Sequence, residues 1–473
     1  MVKFVSKRKV LLLLCLLVIG VCQLQAQQVK YSFAEAKSRM LRTSNVLKVA
    51  DAGMQIARKE QRRAAAWWWP QIQVEGMYAH LSEEVEVRQP LSQFTDPAKA
   101  YMQSIFPSEE LVSGLLDEVG RYTLTFPLLP KDLFSADLTA EWVVFGGGKR
   151  IFTDKIARRM VDVAQINNAK VEAAEMVILV EHYYGLALAE QTIEVCRKRY
   201  EGLRNHYEHA VKLEEVGMAD KATRLLAQVA MEEAQRELER AQSLEQVEQM
   251  VLKRMLDITD EGLRIIPSSA LFMCRQLPPR ELFLQTMQSN NPTLNTLYIE
   301  EQMASEKLRI DQSTYLPDVA LFGKQTLYAH GIPSNLMPRT IVGVGLSWNI
   351  FDGLNRERQI SQTRLARQSL VWSREEAEND CAIAVDELYA TLLRSEQEVR
   401  VLNTTIILNE ELLRMRHASF AEGIATSAEV VDAENALSEV RLARLAAYYA
   451  YDVALINLLA ISGLTDSFED YNR

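Results

Sequence analysis

The chain repeats itself once, in two fixed registers, and this duplication limits its architecture more than any single residue does. With a shift of about 206 positions, residues of the first half fall on identical residues of the second half. The matched pairs are Trp142 with Trp348, Phe145 with Phe351, Gly147 with Gly353, Arg150 with Arg356 and Gly217 with Gly423. Upstream, a shift of about 247 positions places Pro70 on Pro317 and Gly76 on Gly323. The first copy therefore carries one insertion, within residues 81–136.

These registers divide the chain into segments. We assign residues 27–256 to the first copy, 257–278 to a segment between the copies, 279–462 to the second copy and 463–473 to a C-terminal tail. Residues 1–26 have the pattern of a secretory signal peptide, with a basic start, an apolar core and Ala26 before the predicted cleavage. We therefore expect an exported protein.

Charge and composition disfavour several classes of function. The formal net charge is −10, and because nucleic acid requires a basic protein face, we expect no nucleic-acid partner. Cys196, Cys274 and Cys381 are too few and too widely spaced for a disulfide framework or a zinc site. His206 and His209 share a predicted helix face but have no evident third metal ligand. Since no nucleophile constellation is present either, we predict no enzyme, no metal and no cofactor.

Each copy has the pattern of a helix, two strands, a very long helix, a turn and a further helix. In the first copy we predict helices over residues 32–66, 149–213 and 221–256, with the turn at Gly217. In the second copy we predict helices over residues 279–314, 355–421 and 427–461, with the turn at Gly423. Helices of about 65 residues reach about 100 Å, so they must pack lengthwise as coiled coils or tubes.

The predicted strands follow Pro70 and Pro317 and lead into Trp142 and Trp348. Around Trp348 apolar residues alternate with glycine and polar residues, which gives the apolar outer face typical of a membrane barrel. A soluble sandwich gives a similar alternation, but the run 67–69 of three tryptophans at a strand base favours a membrane aromatic belt. Four strands cannot close a barrel, and lipid does not tolerate open sheet edges. Several chains would therefore share one barrel.

These motifs resemble the TolC family of outer-membrane efflux and secretion channels. The resemblance covers essentially the whole mature chain. It rests on the strand-to-helix junctions 142–147 and 348–353, on Val216-Gly217 with Ala227, and on Gly423 with Asp432-Ala433.

The resemblance implies a mainly α fold with a small membrane β-barrel contribution. Three protomers would form a homotrimer with a 12-stranded barrel in outer-membrane lipid and an α-helical tube in the periplasm. The helix turns would form a closable tip, and the segment 257–278 and the tail would belong to an equatorial belt. The insertion would be an extracellular loop. The implied partners are a periplasmic adaptor (membrane fusion) protein and an inner-membrane transporter.

The resemblance also indicates a gate and a docking site. Acidic residues narrow the family's periplasmic entrance, and the matching positions are Glu429 and Asp432, three residues apart on one helix. Solvated surface acids near a helix N-terminus would explain them equally. Gly217 and Gly423 match the glycines of the tip turns, where the adaptor would dock, and a turn that requires positive φ also explains them. Positions that carry an ionic lock in some members are Ala425 and Thr223 here, so closure would rest on other contacts.

The sequence favours a passive exit duct for small molecules in a tripartite efflux system. Two alternatives remain open. One is the outer-membrane channel of a type I protein secretion system, which shares the fold. The other is an exported coiled-coil structural or adaptor protein, which accounts for the long helices but not for the paired strands or for the apolar-face tryptophans.

Overall fold

The computed structural model describes residues 28–105, 110–260, 262–332 and 338–472. The signal peptide predicted over residues 1–26 lies outside the described residues. The chain falls into two units, which we call the helical unit (residues 28–59, 158–303 and 366–472, as far as described) and the sheet unit (residues 60–157 and 304–365). Both copies of the repeat contribute to both units.

Ten α-helices account for most of the described chain. They are α1 Phe33–Thr43, α2 Asn45–Ala65, α3 Ser92–Ile105, α4 Glu110–Gly120, α5 Lys149–Glu215, α6 Lys221–Met255, α7 Arg280–Asn290, α8 Pro292–Ser313, α9 Asn355–Ala421 and α10 Ser427–Ser462. The long helices α5 and α9 have 67 residues each, which corresponds to about 100 Å at 1.5 Å per residue. Helix α9 has its predicted bounds, and α5 ends two residues beyond its predicted end.

The first helix of each copy is broken, whereas the sequence analysis predicted continuous helices over 32–66 and 279–314. Ser44 and Asn291, which the 247-residue shift superimposes, have ψ angles of 121° and 123° and interrupt the helices at equivalent places. Asn291 precedes a proline, which disfavours the helical conformation, and its side-chain oxygen accepts hydrogen bonds from Thr293 N and Leu294 N. Each break thus starts a new, capped helix.

The core of the helical unit combines side chains from both copies. The ring of Phe33 lies 5.5 Å from that of Tyr183 and 5.3 Å from that of Phe468, and all three are buried. Each such ring contributes about 2–3 kcal/mol by burial. Helix α10 supplies many of the other core residues. It is long and apolar enough to cross a membrane, but over half of its apolar stretch is buried, so we interpret it as a core helix.

One carboxyl group lies inside this core. Asp452 of α10 is fully buried, and one of its oxygens accepts a hydrogen bond of 3.4 Å from Phe272 N. Burial raises the pKa of this carboxyl well above its usual range, because the apolar surroundings disfavour the charged form. Nearby, a short parallel pair of strands, β1 Gln28–Tyr31 and β6 Arg264–Pro267, joins the first copy to the segment between the copies.

Four antiparallel strands form the main sheet of the sheet unit, two from each copy. Their order is β2 Gln71–His80, β5 Asp132–Gly146, β7 Asp318–His330 and β8 Thr340–Ser347. The register pairs Ile72 with Ala140, Ala140 with Gly323 and Gly323 with Val342. In a single chain β2 and β8 are therefore the two free edges of this sheet.

The insertion is more ordered than the extracellular loop that the sequence predicted. Between β2 and β5 lies a second hairpin, β3 Val85–Pro90 and β4 Thr123–Leu129, and between these strands lie α3 and α4. The two helices approach closely where Gly120 faces Thr95, since a Cβ atom at Gly120 would lie 2.6 Å from the Thr95 hydroxyl. The stretch around 111–119, which the sequence marked as amphipathic, falls within α4.

Candidate functional site

The main sheet has one apolar face, as the strand alternation predicted. Paired residues of antiparallel strands share a face, so the register defines an outer face and an inner face. The outer face carries exposed side chains at Ile72, Val74, Val342, Val344 and Leu346, all at least 66% accessible. The inner face is mainly small or polar, and its apolar side chains include Val143, Ile341 and Phe322. The Phe322 ring lies over Gly343, where a Cβ atom would lie 2.6 Å from it.

Aromatic side chains lie at both ends of the outer face. Trp142 lies near the base of β5, and Phe134 lies eight residues away, with its ring 5.6 Å from that of Tyr328. Eight residues span about 27 Å of strand, which at a tilt of about 40° gives about 21 Å of height. Apolar bands of outer-membrane barrels are about 25 Å tall with an aromatic girdle at each border. The outer face matches this pattern.

The three consecutive tryptophans do not form a single belt. Trp68 accepts a hydrogen bond of 3.1 Å at its carbonyl oxygen from Trp142 Nε1, whereas Trp67 and Trp69 line a concave cavity on the inner face. The sequence analysis placed all three in a membrane belt, and this is corrected for Trp67 and Trp69. Trp68 is not part of this lining, a difference that a run of identical residues could not show.

The strand-to-helix junctions place the repeated motif residues in left-handed turns. Gly147 and Gly353 have φ angles of 61° and 71°. At Gly147 a Cβ atom would lie 2.7 Å from the carbonyl oxygen of Ser313, so glycine is required there by both conformation and space. Phe145 and Phe351 are 47% and 74% exposed, and they lie where the chain leaves the sheet.

Arginines that follow these turns hold the junctions together. The Arg356 guanidinium is buried and donates hydrogen bonds of 2.8–3.1 Å to the carbonyl oxygens of Thr314, Asn349 and Ile350. It also lies 4.6 Å from the Tyr315 ring, as Arg150 lies 5.7 Å from the equivalent Trp68 ring. The contact with an aromatic ring is therefore repeated in both copies, whereas the three hydrogen bonds are made by Arg356.

The tip turns, which we define as residues 216–219 and 422–425, have the same conformation in both copies. Gly217 and Gly423 both have φ of 74°, and a Cβ atom at either would meet nothing within 4 Å. Met218 N donates to Leu213 O at 2.7 Å and Ile424 N donates to Ser419 O at 2.9 Å, which is the pattern of a Schellman motif. Met218 and Ile424 are 70% and 75% exposed. The turns thus present apolar side chains to solvent.

The two predicted gate acids differ in their contacts. Glu429 forms a capping box with Thr426, since its carboxylate accepts a 3.1 Å hydrogen bond from Thr426 N and its own N–H donates to the Thr426 hydroxyl. It also lies 3.5 Å from Arg416 Nη1. Asp432 is exposed and has no ion pair or hydrogen bond with any described residue. Helix capping alone therefore explains the acidic side chain at Glu429. The acidic side chain at Asp432 has no such local role.

A small apolar cluster lies close to these acids in the chain. Ala425 and Phe420 are buried together with Ala210, Ala227 and Val430. The buried ring of His206 lies 4.6 Å from that of Phe420, and its Nε2 is 2.7 Å from the Ser427 hydroxyl. Of the two positions where some family members carry an ionic lock, Ala425 belongs to this cluster, whereas Thr223 bonds to Asp220.

His206 has the most perturbed histidine environment in the described chain. Its pKa is lowered to about 4, mainly by desolvation and to a smaller extent by the nearby His417 and His209. His417 in turn lies 3.4 Å from a carboxylate oxygen of the buried Glu434. Sequence reasoning considered His206 only with His209 and missed His417 and Glu434, because these lie on other helices. Across the described residues, no group of three or more His, Cys, Asp or Glu side chains is arranged for a metal ion.

Known proteins share both sequence and fold with this chain. Residues 283–464 match the family model of the outer membrane efflux proteins. The matched stretch corresponds closely to the second copy of the repeat. The alkaline protease secretion protein AprF of Pseudomonas aeruginosa is 22% identical over 300 residues. The match spans 62% of this chain and 62% of that relative.

Solved structures match almost the whole chain in fold. The crystal structure of CusC has a TM-score of 0.72 at 16% identity and covers 91% of this chain and 92% of its own. VceC of Vibrio cholerae has a TM-score of 0.69 at 16% identity, with 90% and 96% covered. The open state of the MtrE outer membrane channel of Neisseria gonorrhoeae has a TM-score of 0.67 at 14% identity, with 92% and 89% covered.

These matches confirm the resemblance to the TolC family and the fold class predicted from sequence. They also agree with the predicted outer-membrane location, because the family model and several of the matched structures are those of outer-membrane proteins. The relatives are channel or secretion proteins rather than enzymes.

Proposed function

We propose that the chain is one protomer of a trimeric outer-membrane channel that serves as the passive exit duct of a tripartite efflux system. The observation that carries this proposal is the four-stranded main sheet, which has an apolar outer face and two free edges, β2 and β8. In hydrocarbon, the unpaired N–H and C=O groups of an edge cost several kcal/mol each. Pairing β2 of one protomer with β8 of the next removes every edge, and three chains supply twelve strands.

The periplasmic partners follow from the tip. The tip turns expose Val216, Met218 and Ile424, each at least 69% accessible, in a part of the chain where two helix pairs reverse. We propose that a periplasmic adaptor protein docks on these turns and joins the channel to an inner-membrane transporter, which provides the energy. Replacing Gly217 and Gly423 by bulky residues would then abolish export at normal trimer yield, whereas normal export would contradict docking.

A gate at the same end would control passage. Asp432 is exposed and free of contacts with the described residues, and a three-fold assembly would repeat it as a ring of negative charge. We propose that this ring, supported by Glu429, narrows the entrance and favours cations. Because Glu429 also caps α10, its substitution affects helix stability as well as charge.

Substitutions on the two faces of the main sheet test the proposal. Val344 and Ser347 lie on β8 and point to opposite faces of the sheet. An arginine on a lipid-facing strand position costs about 2–4 kcal/mol at the bilayer midplane and less toward the interfaces, so Val344→Arg should reduce the yield of outer-membrane trimers. Ser347→Arg should leave that yield close to wild type. Equal yields for the two variants would mean that the outer face does not meet lipid.

A second candidate function is the outer-membrane channel of a type I protein secretion system. The observation that favours it is the sequence match to AprF, which is by name a protein of alkaline protease secretion. The exported coiled-coil alternative fits less well, because it gives no role to the exposed outer face. Export assays with a small dye and with a secreted protein, in cells that carry the cognate pump, separate the first two candidates.

A further inference from the structure

The inner face of the main sheet forms a cavity of about 830 Å³ near the base of the strands. Aromatic side chains line it from two sides. Trp67 and Trp69 enter from the turn that precedes β2 and are 56% and 74% exposed, and Phe322 enters from β7 and is 42% exposed. Cavities of 300–1,000 Å³ with mainly apolar walls and a few polar groups are typical of small-molecule sites.

The basic side chains of this cavity are already engaged. Lys149 Nζ lies 3.1 Å from each carboxylate oxygen of Asp318, which neutralises both groups. Arg150 lies over the ring of Trp68, at 5.7 Å. A ligand in the cavity therefore meets no free ammonium group from Lys149, and the charge of Arg150 is directed to an aromatic ring outside the cavity lining.

One acidic side chain of the cavity remains free. Glu141 lines the cavity, is exposed, and has no ion pair or hydrogen bond with the residues that the structure describes. Further along the inner face, Asp137 is paired with Lys324 at 2.9 Å, whereas Glu75 accepts a hydrogen bond only from the neutral Gln73 amide. On the strands of this face the charges left without a counter-charge are thus negative, whereas the remaining positive group of the cavity, Arg150 at the start of α5, has its guanidinium over the Trp68 ring.

We propose that this cavity binds organic cations that have an aromatic or apolar body. Indole faces attract cations through the ring quadrupole, with tryptophan the strongest of the aromatic side chains. Two indoles and a phenyl ring would enclose the apolar body, and the Glu141 carboxylate would attract the charge. The inference deepens the proposed function, since it names the class of small molecule that a duct of this kind would hold on its inner wall.

The test uses the full-length mature protein, purified in mild detergent, and a pair of probes of equal size and opposite charge. Tetraphenylphosphonium should bind in equilibrium dialysis, and tetraphenylborate should bind at least tenfold more weakly. Trp67→Leu combined with Trp69→Leu should weaken tetraphenylphosphonium binding by about tenfold or more. Glu141→Gln, a conservative change at an exposed position, should weaken it several-fold. The control is Trp372→Leu, an exposed tryptophan of α9, which should not change binding.

Three results would overturn the inference. The first is equal binding of both probes, and the second is unchanged binding in the Trp67/Trp69 variant. The third is absence of tetraphenylphosphonium binding together with protection of these two tryptophans from acrylamide quenching, which would show that a neighbouring copy fills the cavity. Conductance measured on the same samples distinguishes this failure from that of the proposed function. A conducting trimer that binds neither probe disproves only the cation site.

Discussion

Trp142 Nε1 donates a hydrogen bond of 3.1 Å to the carbonyl oxygen of Trp68, which joins the base of β5 to the turn before β2. In the second copy, Trp348 Nε1 donates a bond of 3.0 Å to the carbonyl oxygen of Tyr315. The two donors are related by the 206-residue shift and the two acceptors by the 247-residue shift. An equivalent hydrogen bond is therefore present in both copies. In each copy it joins a residue that follows the 206-residue shift to one that follows the 247-residue shift.

Each of these bonds should stabilise its junction by about 1 kcal/mol, the usual net value of an intramolecular hydrogen bond. We expect Trp142→Phe and Trp348→Phe each to lower the free energy of unfolding by about that amount, because phenylalanine keeps the ring but lacks the N–H donor. Urea denaturation followed by circular dichroism measures the change. Trp372→Phe is the matched control and should be neutral. A neutral result for both junction variants would show that these bonds add nothing to stability.

Arg356→Lys should be far more harmful than Arg150→Lys, although the two arginines are equivalent in the repeat. The buried Arg356 serves three carbonyl oxygens, and a lysine cannot reproduce the planar fork of donors. We expect a loss of about 2–4 kcal/mol in unfolding free energy for Arg356→Lys. For Arg150→Lys, which removes only a cation–π contact, we expect below about 1 kcal/mol. Similar losses in the two variants would contradict this explanation.

Leu354 offers a stabilising substitution. It has φ of 66° and is one of two described non-glycine residues with positive φ, whereas its repeat counterpart is Gly148, with φ of 88°. A left-handed conformation costs about 1–2 kcal/mol in a residue that carries a Cβ atom. Because Leu354 is 52% exposed, its side chain contributes little packing. We expect Leu354→Gly to raise the melting temperature. A lower melting temperature would show that the contacts of the leucine side chain contribute more to stability than its left-handed backbone costs.

Two substitutions of Glu429 separate the effect of its charge on the gate from its effect as a helix cap. Glu429→Gln should preserve the capping box, since glutamine can replace glutamate at this position, and should remove the charge. Glu429→Ala should also lose about 1 kcal/mol of stability. In planar bilayers, Asp432→Asn combined with Glu429→Gln should raise conductance and weaken block by divalent cations. An unchanged conductance in this double variant would exclude both acids from the gate.

His206 should make the tip sensitive to acid. Its pKa is about 4 in the folded protein against 6.5 in an exposed histidine, so the unfolded chain binds the proton more readily. Stability contributed by the neutral ring is complete above about pH 6.5 and decreases by about 3 kcal/mol as the pH falls to about 4.

The test compares His206→Leu with His209→Gln, since His209 is exposed on the same helix. Unfolding free energy measured from pH 7 to pH 4 should depend less on pH in His206→Leu than in the wild type. His209→Gln should retain the wild-type dependence. The other titratable groups near the ring, His417 of α9 and Glu434 of α10, are present in both variants. An equal pH dependence in all three proteins would show that His206 does not control it.

The repeat explains why the helices could be predicted so closely. Gly217 in the first copy and Gly423 in the second are equivalent, so the prediction of a turn at one strengthens the prediction at the other. The strand β8 was also clear, because glycine and apolar residues alternate strictly along it. The breaks at Ser44 and Asn291 were missed, because only Asn291 has a proline after it, and a polar residue alone is a weak helix boundary.

Features that depend on contacts between distant segments could not be predicted. Trp67 and Trp69 line the inner-face cavity and Trp68 does not, a difference that three identical residues do not indicate. The group of His206, His417 and Glu434 brings together three helices, and the folded insertion depends on the close approach of Gly120 to Thr95. In each case the determining residues lie far apart in sequence or carry no local pattern.

In the proposed assembly, several copies of this chain share one membrane barrel. Mass and single-channel conductance, measured on the mature protein purified from outer membranes in mild detergent, test it most directly. We expect a trimer with a small, cation-selective conductance. A soluble species of one chain that does not conduct would contradict it, because the two free edges of the sheet would then require no partner.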